Sequence, residues 1–230
     1  MPATLFRFFA FLFFLGGMSF AAGPGNKDVF DAVQAAADKA TPESLRCKVV
    51  SPLVDQQLKQ VPKDKIIYGQ IPFVELLFKK GYGFRLMVRN VDDYFVRLFG
   101  IYEPILAQSG LFMTIDKRNT FAAFSKFYEF SLQAGDEAFP NKVKVRERDS
   151  LPGDYGVYYY DKDWTLQKSE YFEANQLKAT LKLGYLASGA YNLVATFDLV
   201  VLNQKNLSSL SGKLYDFSFE TQNAAAFKGR

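Results

Sequence analysis

Apolar residues recur along this chain with two different periods, and the change of period divides it. From Asp28 to Ala40, Val29, Phe30, Val33, Ala37 and Ala40 share one helical face, which predicts a first helix. Thr41-Pro42 stops or restarts it, and Ser51-Pro52 repeats the device ahead of Leu53, Val54, Leu58 and Val61, because proline suits the first turn of a helix. The segment up to Val61 therefore reads as mostly helical. Val61-Pro62-Lys63-Asp64 is a turn, and Lys65 to Gln70 is a short strand candidate. From Ile71 both readings stand: Pro72 and Lys79-Lys80-Gly81 suit a helix, while Phe73, Val74, Leu76, Leu77 and Phe78 suit a buried strand.

Phe84, Leu86 and Val88 alternate with Arg85, Met87 and Arg89, which predicts a strand. The next stretch returns to helical spacing. Asn90 caps a helix with Asp92-Asp93 in its first turn and Gly100 at its end, and Pro104 opens a further short segment. Asn119 to Leu132 reads as a strongly amphipathic helix, with Phe121, Phe124, Phe127, Tyr128 and Leu132 on one arc. From Asn141 the period becomes two. Val143 and Val145 open a run of alternating segments separated by Leu151-Pro152-Gly153-Asp154, Asp161-Lys162-Asp163, Glu173-Ala174-Asn175, Ala187-Ser188-Gly189 and Asn203 to Asn206, ending on Tyr215, Phe217 and Phe219. The expected architecture is α+β: a C-terminal antiparallel β-meander of about five or six strands packed under N-terminal and central helices. With no linker, repeat or low-complexity tract, residues 22–230 read as a single α+β domain whose tail from Gln222 frays.

Residues 1–21 read as a signal peptide. Arg7 precedes the uncharged run Phe8 to Leu15, and Ser19 and Ala21 stand at −3 and −1 of a cut before Ala22. The uncharged stretch is broken by glycines and Pro24, so its apolar core falls short of the roughly 20 residues a spanning helix needs. Cys47 lies far from the cut, which gives no support to lipidation there. The mature chain of 209 residues carries 27 basic and 24 acidic residues, a net +3. It keeps 17 of the 24 Phe with all 13 Tyr and the one Trp, enough to build a sizeable core without cross-links. Export without a disulfide favours a bacterial periplasm, with secretion as the other destination. The sequon at Asn206-Leu207-Ser208 matters only in a glycosylating host.

The absent residues exclude much chemistry. With no His there is no Ser-His-Asp or Cys-His triad and no His-ligated metal; one Cys builds neither an internal disulfide, a CxxC pair nor a thiolate cage. Gly81-Tyr82-Gly83 begins a dinucleotide fingerprint but lacks its third glycine and opens a strand, so no cofactor is expected. There is no GxSxG, SxxK or GxxxxGK motif. Carboxylate-only glycan hydrolysis survives through Asp161 and Asp163 or Glu170 and Glu173, although Asp161-Lys162-Asp163 sits where a hairpin needs turn residues. Cys47, between Arg46 and Lys48, is either a reactive thiol or a small buried hydrophobe.

Two features point to binding. Lys142, Lys144, Arg146 and Arg148 line one face of a strand, either as a charged solvent face or as a stripe for acidic partners or lipid head groups. Nucleic acid is not expected, since the charges lack interleaved stacking aromatics and the chain is exported. Tyr155 and Tyr159 face one side of their strand and Tyr158 and Tyr160 the other, with Trp164 across the turn. Rings on both sides mean either a sandwiched core or an amphipathic cavity wall, over which Phe121, Phe124 and Phe127 would form a lid. The order of signal peptide, leading helix and curved antiparallel sheet under helices is similar in outline to periplasmic lipoprotein-carrier and lipid-carrier proteins. That resemblance implies a non-enzymatic periplasmic protein holding lipid or lipoprotein acyl chains, with membrane contact at most peripheral. A cell-envelope interaction module with a protein partner is the alternative, and an outer-membrane barrel does not fit the helical first half.

Overall fold

The computed structural model describes residues 24–92 apart from 81, then 120–202 and 209–221. Ten antiparallel strands form one sheet in the order β3-β2-β1-β10-β9-β8-β7-β6-β5-β4, so that everything from β4 onward is a meander. The strands are β1 (Ser44–Val50), β2 (Phe73–Lys79), β3 (Gly83–Arg89), β4 (Tyr128–Gln133), β5 (Asn141–Glu147), β6 (Tyr155–Tyr160), β7 (Leu166–Glu173), β8 (Gln176–Ser188), β9 (Tyr191–Val201) and β10 (Ser209–Ser218). Helices α1 (Pro24–Ala40), α2 (Pro52–Leu58) and the single turn α3 (Phe121–Phe124) accompany them.

The α+β class and the meander from Asn141 hold, as β5 to β10. The strand count does not, because β1 to β4 bring the sheet to ten. β1 lies where a second helical stretch was expected: Thr41-Pro42 does end α1, yet Leu45, Cys47 and Val49 alternate with Arg46 and Lys48, and that period suits a strand buried on one face. In place of a strand at Lys65 to Gln70 there are two 3-10 turns, Lys63–Lys65 and Ile67–Gly69, with Ile66 between them in an isolated bridge to Val91. Ile71 onward resolves as strand β2. The central helix shrinks to α3 because Tyr128, Phe130 and Leu132 follow a two-residue period and pair with β5 at Glu147, Val145 and Val143. Asn90 adopts a left-handed conformation (φ 65°) and donates its side-chain amide to the Ile71 carbonyl. The rest of the expected Asn90 helix, the Pro104 segment, the signal peptide and the sequon lie outside the described residues.

One face of the sheet carries the core. Leu45, Cys47 and Val49 pair with Phe78, Leu76 and Val74, which in turn pair with Phe84, Leu86 and Val88. The same face continues through Leu214, Leu199, Leu181, Tyr171, Tyr158, Val143 and Phe130 as one apolar cluster that takes in Val29 and Val33 of α1 and Val54 of α2. This inner face is therefore continuous from β3 to β4. Two glycines make room for rings on it. At Gly212 a β carbon would lie 2.5 Å from Phe197 Cζ, its cross-strand partner, and at Gly156 one would lie 2.9 Å from Tyr158 Cε2. Bulges at β1/β10, β6/β7, β7/β8 and β8/β9 add bend and twist to an already wide sheet.

Candidate functional site

The inner face is richest in aromatic side chains at the end formed by α1, α3 and β4. Thr120 caps α3 by accepting a hydrogen bond on Oγ1 from the Ala123 amide at 3.2 Å. That turn presents Phe121 and Phe124 to Phe30 of α1, with ring centroids at 5.6 and 5.3 Å. Phe124 also stacks on Tyr128 at 4.9 Å and meets Phe130 edge-on at 5.9 Å. These distances lie within the range for favourable aromatic pairs. Phe124 is thus the hub of a four-ring group that joins both helices to the sheet edge. Phe127 follows in the turn into β4 and packs against the core from its partly exposed position.

Along β6 the expected division of the tyrosines is observed. Tyr158 and Tyr160 belong to the inner-face cluster, and Trp164, in the β6–β7 turn, lies 5.8 Å from Tyr160. Burial pushes the hydroxyls of Tyr158, Tyr160 and Tyr185 well above the ordinary phenol value, so all three stay protonated. Tyr185 donates to the Leu166 carbonyl at 2.5 Å. Tyr155, a ligand-contact candidate from the sequence, stands on the Tyr159 side of the strand, as its position predicts: it stacks on Phe172 at 4.7 Å, under the Lys144 ammonium at 3.7 Å. Of the residues proposed from sequence, Phe121, Phe124, Phe127, Tyr158, Tyr160 and Trp164 are therefore on or beside the inner face, and Tyr155 is not. Sequence reasoning placed Phe30 and Tyr128 on apolar helical faces without assigning them to the ligand wall, and it passed over Phe130, Tyr171 and Tyr185. The alternation of Tyr128, Phe130 and Leu132 with Glu129, Ser131 and Gln133 was the signal available for β4.

The outer face carries the charge. Lys142 and Lys168 lie over the Tyr159 ring at 4.9 and 4.6 Å from its centroid. The Tyr159 hydroxyl donates to Glu170 at 2.5 Å, and Lys168 pairs with the same carboxylate at 2.5 Å. Burial works to raise the Glu170 carboxyl, but the hydrogen bonds from Lys168 and Tyr159 and the charges of Lys168 and Lys142 outweigh it and hold the group below its ordinary value. Glu170 is consequently a poor proton donor at neutral pH. Arg146 pairs with Glu129 at 2.5 Å, while Arg148, just beyond β5, reaches Glu129 at 3.7 Å and donates from Nε to the Ser125 carbonyl. The four-residue stripe is thus three residues on the strand and one that ties β5 to the α3 turn.

Asp161 is occupied in building the β6–β7 turn. Its Oδ1 accepts from the amides of Asp163 and Thr165, and Oδ2 accepts from Gln167 Nε2, all at 2.9 Å. Asp163 is exposed beside Lys162. Cys47 is buried on the inner face, and burial, with the Glu75 charge adding to it, pushes its thiol up to about 12, the opposite of an activated nucleophile. Among the described residues no three His, Cys, Asp or Glu side chains cluster as metal ligands, and no described helix is long and apolar enough to cross a membrane.

No protein-family model matches the chain, and no curated protein matches it. Its fold is similar to solved structures of very different sequence. A domain from Vibrio parahaemolyticus assigned as an outer membrane lipoprotein-sorting protein aligns with a TM-score of 0.53 at 14% identity, covering 89% of this chain and 96% of that one. A DUF1329 family protein from Desulfovibrio piger aligns at 0.50 and 8% identity, covering 88% and 97%. A LolA superfamily protein from Nitrosomonas europaea aligns at 0.45 and 8%, covering 87% and 97%. At such identities the first two likenesses are ones of fold, and nearly the whole of each neighbour is matched.

Proposed function

We propose that residues 22–230 form an exported, non-enzymatic carrier, released from residues 1–21 as a signal peptide into a bacterial periplasm, that holds the acyl chains of a lipid or lipoprotein against the inner face of its sheet. The observation that carries the reading is the apolar cluster that runs along the inner face through all ten strands, covered by a helix and a helical turn through stacked rings at one end. Apolar walls with a few tyrosine hydroxyls are what an amphipathic ligand requires. The fold shared with a domain assigned to outer membrane lipoprotein sorting supports the same class of ligand.

The test is to express the full chain with periplasmic export, purify it without detergent, and combine native mass spectrometry with lipid extraction. The expected result is a mature mass beginning at Ala22 with a stoichiometric lipid or acylated peptide. An empty protein that also fails to take up a fluorescent fatty acid would overturn the carrier reading.

A further inference from the structure

We propose that the outer face of β5 to β8 is a docking surface for an anionic lipid bilayer. The strand register sets one row of residues across the sheet: Lys142 opposite Tyr159, Tyr159 opposite Lys168, and Lys168 opposite Lys182. Lys144 and Arg146 extend the same face along β5. Three carboxylates are interleaved among these positions: Glu170 is shared between Lys168 and the Tyr159 hydroxyl, Glu129 pairs with Arg146, and Asp198 lies opposite Lys182. Like charges directly opposite each other on neighbouring strands, as Lys168 and Lys182 are, destabilise a sheet. Lys182 is exposed and is flanked by Lys168 on one side and by Asp198 on the other. The five basic residues Lys142, Lys144, Arg146, Lys168 and Lys182 outnumber these three carboxylates, which leaves the face with a positive balance.

Charge is not the only feature suited to a membrane surface. Lys142, Lys144 and Lys168 are held over the rings of Tyr155 and Tyr159. Those contacts position the ammonium groups and place amphipathic rings directly beneath them, the pairing of residue types favoured in the head-group region of a bilayer. The described helices all lie on the opposite side, against the inner-face cluster. The lysines held over these rings make a positively weighted surface, which matches a repeating array of anionic head groups. The inference concerns the face away from the proposed acyl-chain wall, so it stands or falls apart from that reading.

The test is co-sedimentation of the full-length mature protein with vesicles of phosphatidylglycerol and phosphatidylcholine, against vesicles of phosphatidylcholine alone. Binding to the anionic vesicles is expected at low salt and should fall steeply as ionic strength rises. The double variant Lys144→Gln/Lys182→Gln should bind at least about tenfold more weakly, since each basic side chain near an anionic surface contributes a several-fold attraction. Lys39→Gln/Lys63→Gln removes the same charge from exposed positions in α1 and in the turn after α2, and should bind like the parent. Equal loss in both double variants would mean that net charge alone governs binding and would overturn the assignment. So would equal binding to neutral vesicles, or retention of an acidic protein with no vesicle binding at all.

Discussion

Gly212 offers the sharpest test of the inner face. In β10 it lies opposite Phe197 of β9, and the Phe197 ring fills the space where a side chain would be. A β carbon at 212 would sit 2.5 Å from Phe197 Cζ, 2.7 Å from Cε1 and 2.9 Å from the Val50 carbonyl oxygen, all closer than such contacts allow. Phe197 is only 3% exposed, so the ring has nowhere to swing without opening the core. Replacing glycine within a strand ordinarily gains some stability from lost chain entropy. Here overpacking, worth about 1–3 kcal/mol, decides the sign. Gly212→Ala should therefore lower the melting temperature by about 2–12 °C, at about 2–4 °C per kcal/mol for a domain of this size. Phe197→Leu alone should cost about 1–2 kcal/mol through lost buried area. Combined, the two should cost at least about 1 kcal/mol less than the sum, because the smaller side chain leaves room for the new methyl. The measurement is denaturant unfolding of all four proteins followed by circular dichroism. Additivity within about 0.5 kcal/mol would refute the account, since contacting residues that share one space must couple.

Other outcomes follow from the same contacts. Tyr159→Phe removes the hydroxyl that donates to Glu170 and should cost about 1 kcal/mol at pH 7. Because the folded-state carboxyl is held low, that stabilisation is present above the unfolded value near about 4.3 and is lost as pH falls through the folded value. The gap between parent and variant should thus close in acid, and a gap unchanged at pH 3 would exclude the hydrogen bond as its source. Cys47 should react with a disulfide reagent at pH 8 at least about 100-fold more slowly in native protein than in denaturant, given its burial and raised thiol; equal rates would show that the inner face opens freely. Phe124→Asp places a carboxylate against three rings and should reduce co-purified lipid, with Phe124→Ala as the milder variant should the first not fold. Unchanged lipid yield in a folded variant would remove α3 from the ligand wall.

The sequence was most legible where one face of a strand is apolar and its neighbours in the sheet are also its neighbours in the chain. From Asn141 onward each strand pairs with the next, so local alternation and short turns suffice to place it. β1 pairs instead with β10, a partner that no local pattern announces, and its flanking prolines suggested helix restarts. At 119–132 two periods compete. Phe121, Phe124 and Phe127 fit a helical arc, but pairing with β5 brings Glu129 to Arg146 and Phe130 to Val145, and that tertiary gain overrides local helical spacing after one turn. The aromatic strand β6 was legible in its alternation but not in its meaning. Which face of Tyr155 to Tyr160 is the interior is set by Val143, Ser169 and Tyr171 on the neighbouring strands, not by β6 itself.

Replacing a central helix by a strand relocates the moving part that a carrier would need. A four-turn lid could swing as a unit; α3 cannot, because it is one turn long, capped by Thr120 and continuous with β4, which is itself hydrogen-bonded to β5. Arg148 fastens the turn further by donating to the Ser125 carbonyl. α1 is held differently. Its buried side chains Val29, Phe30 and Val33 meet the sheet and α3 only through apolar contact, while near its C-terminal end Asp38 pairs with Lys80 at 2.7 Å beside the β2–β3 turn. Non-directional contacts can be exchanged for contacts with an acyl chain at little net cost, whereas a backbone ladder cannot. α1 is therefore the cover of the inner face that is held without a backbone ladder, while α3 leads into a strand that is fixed by one.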